Sequence, residues 1–96
     1  MSERDEPAAA LCRALASEMR DMGTLVEALA EVLASDTGVV ERHLGRLQQF
    51  DGLAQQIGEG ARLLDHLAGG DCVKQAIGRV RLEGMQARLK AGLEAA

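Results

Sequence analysis

Between Pro7 and Leu67 apolar residues return every three or four positions, and a single break, Ser35-Asp36-Thr37-Gly38, interrupts them. That period lays one apolar stripe along an α-helix. The first segment carries Leu11, Leu15, Met19, Met22, Leu25, Val26, Leu29, Val32 and Leu33. With Pro7 suited to a first helical turn, the pattern predicts a helix over 5–34, roughly 40 Å long. The break supplies turn formers and an N-cap, after which a second helix is predicted over 37–67. Its inward side holds Val40, His43, Leu44, Leu47, Phe50, Ala54, Ile57, Ala61 and Leu64. Two long helices joined by so short a connection lie antiparallel. Gly69-Gly70 ends the hairpin, and Asp71 is expected to cap a C-terminal helix over 71–93. The fold class is therefore all-α, a long antiparallel helical hairpin plus a short C-terminal helix, in one domain over 1–96. No strand pattern, internal repeat or low-complexity linker is visible.

A chain of 96 residues buries a limited share of its surface when it folds alone. A hairpin also cannot cover both flanks of its own stripe, so two hairpins are expected to pair about a twofold axis as a homodimeric four-helix bundle. The C-terminal helix has two apolar faces, Val73, Ile77 and Val80 with Gly84 on one, and Leu82, Met85, Leu89 and Leu93 on another. These opposed faces argue against the alternative, a monomeric three-helix bundle with this helix folded back, since such a helix either needs two partners or changes partner along its length.

Charge and composition exclude several classes. Residues 71–96 hold five bases against three acids, while residues 1–70 hold twelve acids against six bases. The basic tail reads as solvated helix charge or as a docking segment for an acidic protein. A pI of 5.1 and a 1% aromatic content argue against nucleic acid. No apolar run approaches the ~20 residues that span a bilayer, and Met1-Ser2-Glu3-Arg4-Asp5-Glu6-Pro7 is too acidic for a signal peptide, so a cytoplasmic protein without membrane association is expected. Cys12 and Cys72 lack metal-ligand spacing and read as free thiols. No metal site and no cofactor of its own are expected.

The stretch Leu47-Gln48-Gln49-Phe50-Asp51-Gly52-Leu53-Ala54-Gln55-Gln56 surrounds the one aromatic residue with amides. On a wheel of 100° per residue with Leu47, Phe50, Ala54 and Ile57 inward, Gly45, Gln48, Gln49, Gly52, Gln55, Gln56 and Glu59 point outward and Asp51 lies on the border. Gly45 and Gly52 share that outer face, where each costs a helix about 1 kcal/mol relative to Ala. A bare surface flanked by long amides suits something that approaches closely. Candidate partner-binding residues are Gln48, Gly52, Gln56 and Glu59.

Asp51 and Gln55, four residues apart, project from adjacent turns. Phe50-Asp51-Gly52-Leu53-Ala54-Gln55 resembles the acid-x-x-x-glutamine motif of the CheZ-type chemotaxis phosphatases, whose long helical hairpin dimerises into a four-helix bundle with a separate C-terminal helix. The resemblance implies that Gln55 orients water against the aspartyl phosphate of a phosphorylated, CheY-like response regulator, and that Asp51 pairs with the regulator's active-site lysine. It also implies a Mg²⁺ ion in that regulator. Asp71-Cys72-Val73-Lys74-Gln75 is a second match in spacing, discounted because Asp71 has a capping role. Two alternatives stay open. One is a non-catalytic helical adaptor or dimerisation module in two-component or chemotaxis signalling. The other is a histidine phosphotransfer protein using His43, although its place on the apolar side favours a packed imidazole, while His66 suits a helix C-terminus.

Overall fold

The computed structural model describes residues 5–96. The described residues form four helices and no strand: α1 (Asp5–Ala34), α2 (Thr37–Ala68), α3 (Val73–Gly78) and α4 (Glu83–Ala95). α1 and α2 pack along their lengths as an antiparallel hairpin, within a body of 55 × 25 × 18 Å. The turn is built as its residues require. Asp36 is the N-cap of α2, its Oδ1 accepting the N–H groups of Gly38 and Val39 at 2.9 and 3.3 Å, and Ser35 Oγ donates to the Val32 carbonyl at the end of α1. At the other end of α2, Gly70 takes a φ of +102° and the Asp71 N–H donates back to the His66 carbonyl at 3.0 Å. That six-to-one bond around a left-handed glycine closes the helix.

The seam between α1 and α2 is made of the smallest side chains. On α1 the buried positions are Ala9, Ala16 and Gly23, and on α2 Ala54, Ala61 and Ala68 repeat the same spacing of seven, with Glu59 and Gly60 buried beside Ala61. In an antiparallel hairpin this spacing sets Ala9 level with Ala68, Ala16 with Ala61 and Gly23 with Ala54. Residues of this size let two helix backbones approach, and larger neighbours then lean across the seam. A Cβ on Gly60 would stand 2.6 Å from Met19 Cε, and one on Gly23 would stand 3.4 Å from Ile57 Cγ2, so Gly60 is where a side chain of α1 needs room.

Most of the large apolar residues of α1 are consequently displaced from the hairpin interior, Met19, Val26 and Leu33 remaining half-buried. Leu11, Leu15, Met22, Leu25, Leu29 and Val32 are exposed, Leu25 by 70% and Val32 by 67%. Their spacing alternates four and three, with Glu18 filling the remaining position, the spacing that coiled-coil seams use. Leu53 of α2, 43% exposed, and half-buried Phe50 fall on the same flank of the hairpin by the helical wheel. Phe50 is thus a flank residue and not a fully enclosed core residue. The hairpin has one apolar flank and one mixed flank, on which exposed Leu44 accompanies the polar residues.

Two expectations for the C-terminal region are corrected. The single helix over 71–93 is broken into α3 and α4 by Arg79-Val80-Arg81-Leu82. The break resolves the conflict between its two apolar faces. Ala76, Ile77 and Val80 are buried in the first part, while Leu82, Met85 and Leu89 are half-buried in the second, on a helix with a new phase. Gln86 of α4 spans the carbonyls at the break, its Nε2 lying 3.2, 3.1 and 3.3 Å from the oxygens of Ile77, Gly78 and Val80, of which the first also accepts the Val80 N–H. Asp71 also does not cap α3. Cys72 takes the N-cap position, and Asp71 is half-buried beside Arg79, whose Nε stands 3.2 Å from its Oδ2.

Candidate functional site

α2 carries the amides through its middle turns, and the Ala54–Ala61 seam fixes which way they face. Gln48, Asp51, Gly52, Gln55 and Gln56 are all exposed. Asp51 and Gln55 lie on the mixed flank, where Gln55, Gly58 and Arg62 of α2 follow one another along one stripe beside Arg20 of α1. Among the described residues neither Asp51 nor Gln55 makes a side-chain hydrogen bond or ion pair. A Cβ on Gly45 or Gly52 would meet nothing within 4 Å, so no intramolecular contact requires glycine at either position.

Three shallow hollows divide this region. Asp51 and Gln48 line one of about 360 Å³ against Glu27 and Glu31 of α1. Gln49, Gly52, Gln55 and Gln56 line a second, of about 470 Å³, whose other wall is the start of α4 with Glu83, Met85 and Arg88. Gln55 also borders a third, of about 460 Å³, with Arg20, Gly58, Glu59, Arg62 and Arg81. The motif pair therefore stands on one stripe but opens onto different hollows, and only the glutamine adjoins the tail.

Glu59 requires correction as a partner-binding residue. It is only 5% exposed, because Arg81 from the α3–α4 break folds over it. The Arg81 backbone N–H donates to Glu59 Oε1 at 2.6 Å, its Nε and Nη2 donate to Oε2 at 3.2 and 3.0 Å, and Arg62 Nη1 donates to Oε2 at 3.0 Å. The Arg81 guanidinium is the main reason that the carboxyl pKa is lowered from 4.5 to about 2, against the opposing effect of burial. The same pairing raises the Arg81 pKa further above its ordinary value. The extra outward position predicted by the wheel was correct for an isolated helix. The tail converts it into the clasp that holds the α3–α4 segment to α2.

The second acid-x-x-x-glutamine match is occupied by structure, though not through a cap by Asp71. Gln75 Oε1 accepts the Cys72 N–H at 3.2 Å, and Asp71 is engaged by Arg79. His43 is also corrected: it is exposed, with non-helical φ and ψ of −133° and 28° at a kink in α2. The regular helical phase from which its inward position was expected is broken at this residue. His66 is half-buried, 3.7 Å from Asp71. Cys12 and Cys72 are free thiols. Among the described residues no three His, Cys, Asp or Glu side chains gather as metal ligands, and no helix is long and apolar enough to cross a membrane.

Arg20, Arg62 and Arg81 are functional candidates that the sequence pattern did not single out. They come from α1, α2 and the interhelical break, and Arg20 pairs with Asp65 across the hairpin. The arginine at i+3 from Glu59 was a local signal for part of this cluster, whereas the placement of Arg81 depended on the broken tail. Neither family models nor curated protein sequences nor solved structures provide a match to this chain.

Proposed function

We propose that the chain is a CheZ-like phosphatase that accelerates hydrolysis of the aspartyl phosphate of a chemotaxis response regulator. The observation that carries this reading is the exposure of Asp51 and Gln55 on one stripe of a rigid mid-helix turn, with neither side chain committed within the chain. An acyl phosphate is already reactive, and a response regulator brings its own Mg²⁺ and phosphoryl pocket. The partner then has to place one water in line and hold the regulator's lysine. Gln55 supplies the amide that orients the water, Asp51 supplies the carboxylate for the lysine, and bare Gly52 lets the regulator come close between Gln48 and Gln56.

The proposal includes a homodimeric four-helix bundle in the cytoplasm. Leu11, Leu15, Met22, Leu25, Leu29 and Val32 together expose on the order of 700 Å² of apolar surface, near the ~800 Å² per partner of a standard protein interface. A second copy supplies the helix with matching seam spacing. Arg20, Glu27 and Glu31, which face the hollows beside Asp51 and Gln55, lie on the opposite side of α1 from this seam, so pairing through the leucines leaves the motif open.

Single-turnover dephosphorylation of a response regulator encoded beside this chain tests the reading. Gln55→Ala should lose roughly tenfold to a thousandfold of the acceleration with little change in binding, since water orientation matters only in the transition state. Asp51→Ala should lose both rate and affinity, because its ion pair also exists in the bound ground state. A Gln55→Ala protein as active as wild type leaves the non-catalytic adaptor instead. The exposure of His43 favours a second reading, histidine phosphotransfer, which predicts an acid-labile phosphoryl group on the chain that disappears in His43→Ala.

A further inference from the structure

The hollow beside Gln55 has an excess of hydrogen-bond donors. Arg62 and Arg81 converge on one buried carboxylate, and Arg20 of α1 lines the same space of about 460 Å³. Glu59 offers little acceptor capacity to anything further, because Oε1 takes the Arg81 backbone N–H and Oε2 takes three guanidinium N–H groups. Each guanidinium has five N–H groups. Most of those on Arg20, Arg62 and Arg81 are left without a carboxylate by these contacts. The local charge is also unbalanced, with three arginines against Glu59 and Asp65. The guanidiniums are half to largely exposed, with side-chain exposures of 49% for Arg20, 41% for Arg62 and 71% for Arg81, so a ligand can reach them.

From these contacts we infer that the Arg20–Arg62–Arg81 hollow is a binding site for a phosphate-class dianion. The physical preference follows from the wall: forked cationic donors from three separate elements suit a compact ligand with several charged acceptor oxygens. Glu59 has a positioning role. By holding Arg62 and Arg81 from beneath, it reduces the side-chain freedom lost when a ligand arrives. A neutral ligand would leave this donor surplus without charged acceptors, and a cation would meet the local positive excess.

The ligand has two possible sources, free phosphate and a phosphoryl group borne by another protein. Assigning the second source rests on the phosphatase reading, since Gln55 borders the hollow; the anion site itself does not. In that setting the guanidiniums would face the phosphoryl oxygens while Gln55 faces the attacking water, as cationic donors commonly do in phosphoryl transfer.

The test uses the full chain, with arginine Nε–H and glutamine side-chain NMR signals followed while inorganic phosphate is added at constant ionic strength against chloride. Saturable shifts of Arg62, Arg81 and Gln55 are expected in phosphate and not in chloride. Arg62→Gln and Arg20→Gln should each weaken binding by about tenfold, the loss of one charge-assisted contact. Both variants retain the Arg81–Glu59 clasp, and unchanged far-UV circular dichroism and melting will separate loss of binding from loss of fold. No saturable shift in phosphate, equal shifts in chloride, or unaltered affinity in both variants overturns the site. Parallel titration with acetonylphosphonate, the methylene analogue of acetyl phosphate, distinguishes the sources. Competition between this analogue and phosphate supports an acyl-phosphate ligand, whereas phosphate binding with exclusion of the analogue overturns that assignment. These arms need no catalytic turnover, so an inactive protein that binds phosphate would refute the phosphatase reading without refuting the anion site.

Discussion

Enlarging a buried alanine should harm this hairpin more than truncating an exposed leucine. Ala61 is fully inaccessible, at 0%, and stands level with Ala16, also 0%, whereas Leu25 is 70% exposed. Ala61→Leu adds three carbons where there is no open volume, so the helices must separate or neighbouring side chains must leave their rotamers. Overpacking of this kind costs about 1–3 kcal/mol. Helix propensity does not offset it, because Ala and Leu both favour helix. At roughly 4–8 °C per kcal/mol for a chain of this size, the melting temperature should fall by about 5–20 °C.

Leu25→Ala removes a side chain that makes few contacts within its own protomer and should change the monomer by less than ~0.5 kcal/mol. In the proposed dimer its effect belongs to association. Thermal melts followed by circular dichroism across a hundredfold range of protein concentration, with sedimentation equilibrium at the same concentrations, separate the two. The expected result is a concentration-independent loss for Ala61→Leu and, for Leu25→Ala, a weakened dimer with a stability loss that vanishes on dilution. If Leu25 were instead the hairpin core, its truncation would cost about 2–5 kcal/mol at every concentration. That result, or an Ala61→Leu protein as stable as wild type, would refute the alanine seam.

Gly52→Ala should stabilise the chain by about 1 kcal/mol in thermal melts, since its Cβ meets nothing, and should weaken a close-docking partner; unchanged partner affinity would remove the reason for the bare surface. The Glu59 carboxyl has a folded pKa of about 2 against 4.5, so its stabilisation is complete above the unfolded value and is lost as pH falls through about 2. Wild type should therefore exceed Glu59→Gln in stability at neutral pH and lose that advantage between pH 4.5 and 2, and a gap independent of pH in paired melts would contradict the clasp. Gln86→Ala should cost the tail about 1–2 kcal/mol by freeing the carbonyls at the break, read as faster amide exchange in α3 and α4 while the α1–α2 hairpin retains its protection.

Local chemistry in the sequence was sufficient for the helices of the hairpin, their turn and the Gly70 termination. Asp36 and Gly70 act through their immediate neighbours, so their roles follow from a few residues. The interior was harder to read because apolar periodicity gives greater weight to Leu25 than to Ala16, although close helix approach depends on the smaller side chain. Both stripes recur at helical spacing, and only the second helix distinguishes which one it covers. The motif positions Asp51 and Gln55 were legible as exposed residues because they depend on the orientation of α2 alone. Glu59 was not, since its burial comes from Arg81, 22 positions away, and that contact requires a break whose purpose is to reconcile two apolar faces. His43 failed for a related reason: a local departure from helical geometry changed the phase on which its expected direction depended.

The sides of α2 have unequal freedom to change. Its alanine face is fixed by α1, its apolar flank continues the exposed leucine seam, and its outer face is partly covered by the tail. Gln55 stands where the mixed flank meets that covered face, bordering both the α4 groove and the arginine hollow. A partner that engages Gln55 must therefore share space with Leu82–Arg88, or displace it. If the partner prefers one tail position, the equilibrium between tail positions must in turn change the partner's affinity by the same free energy. The Glu59–Arg81 contacts tie that tail to α2 near the glutamine, so under the proposed phosphatase reading a change at Glu59 would alter access to Gln55 without touching the chemistry assigned to it.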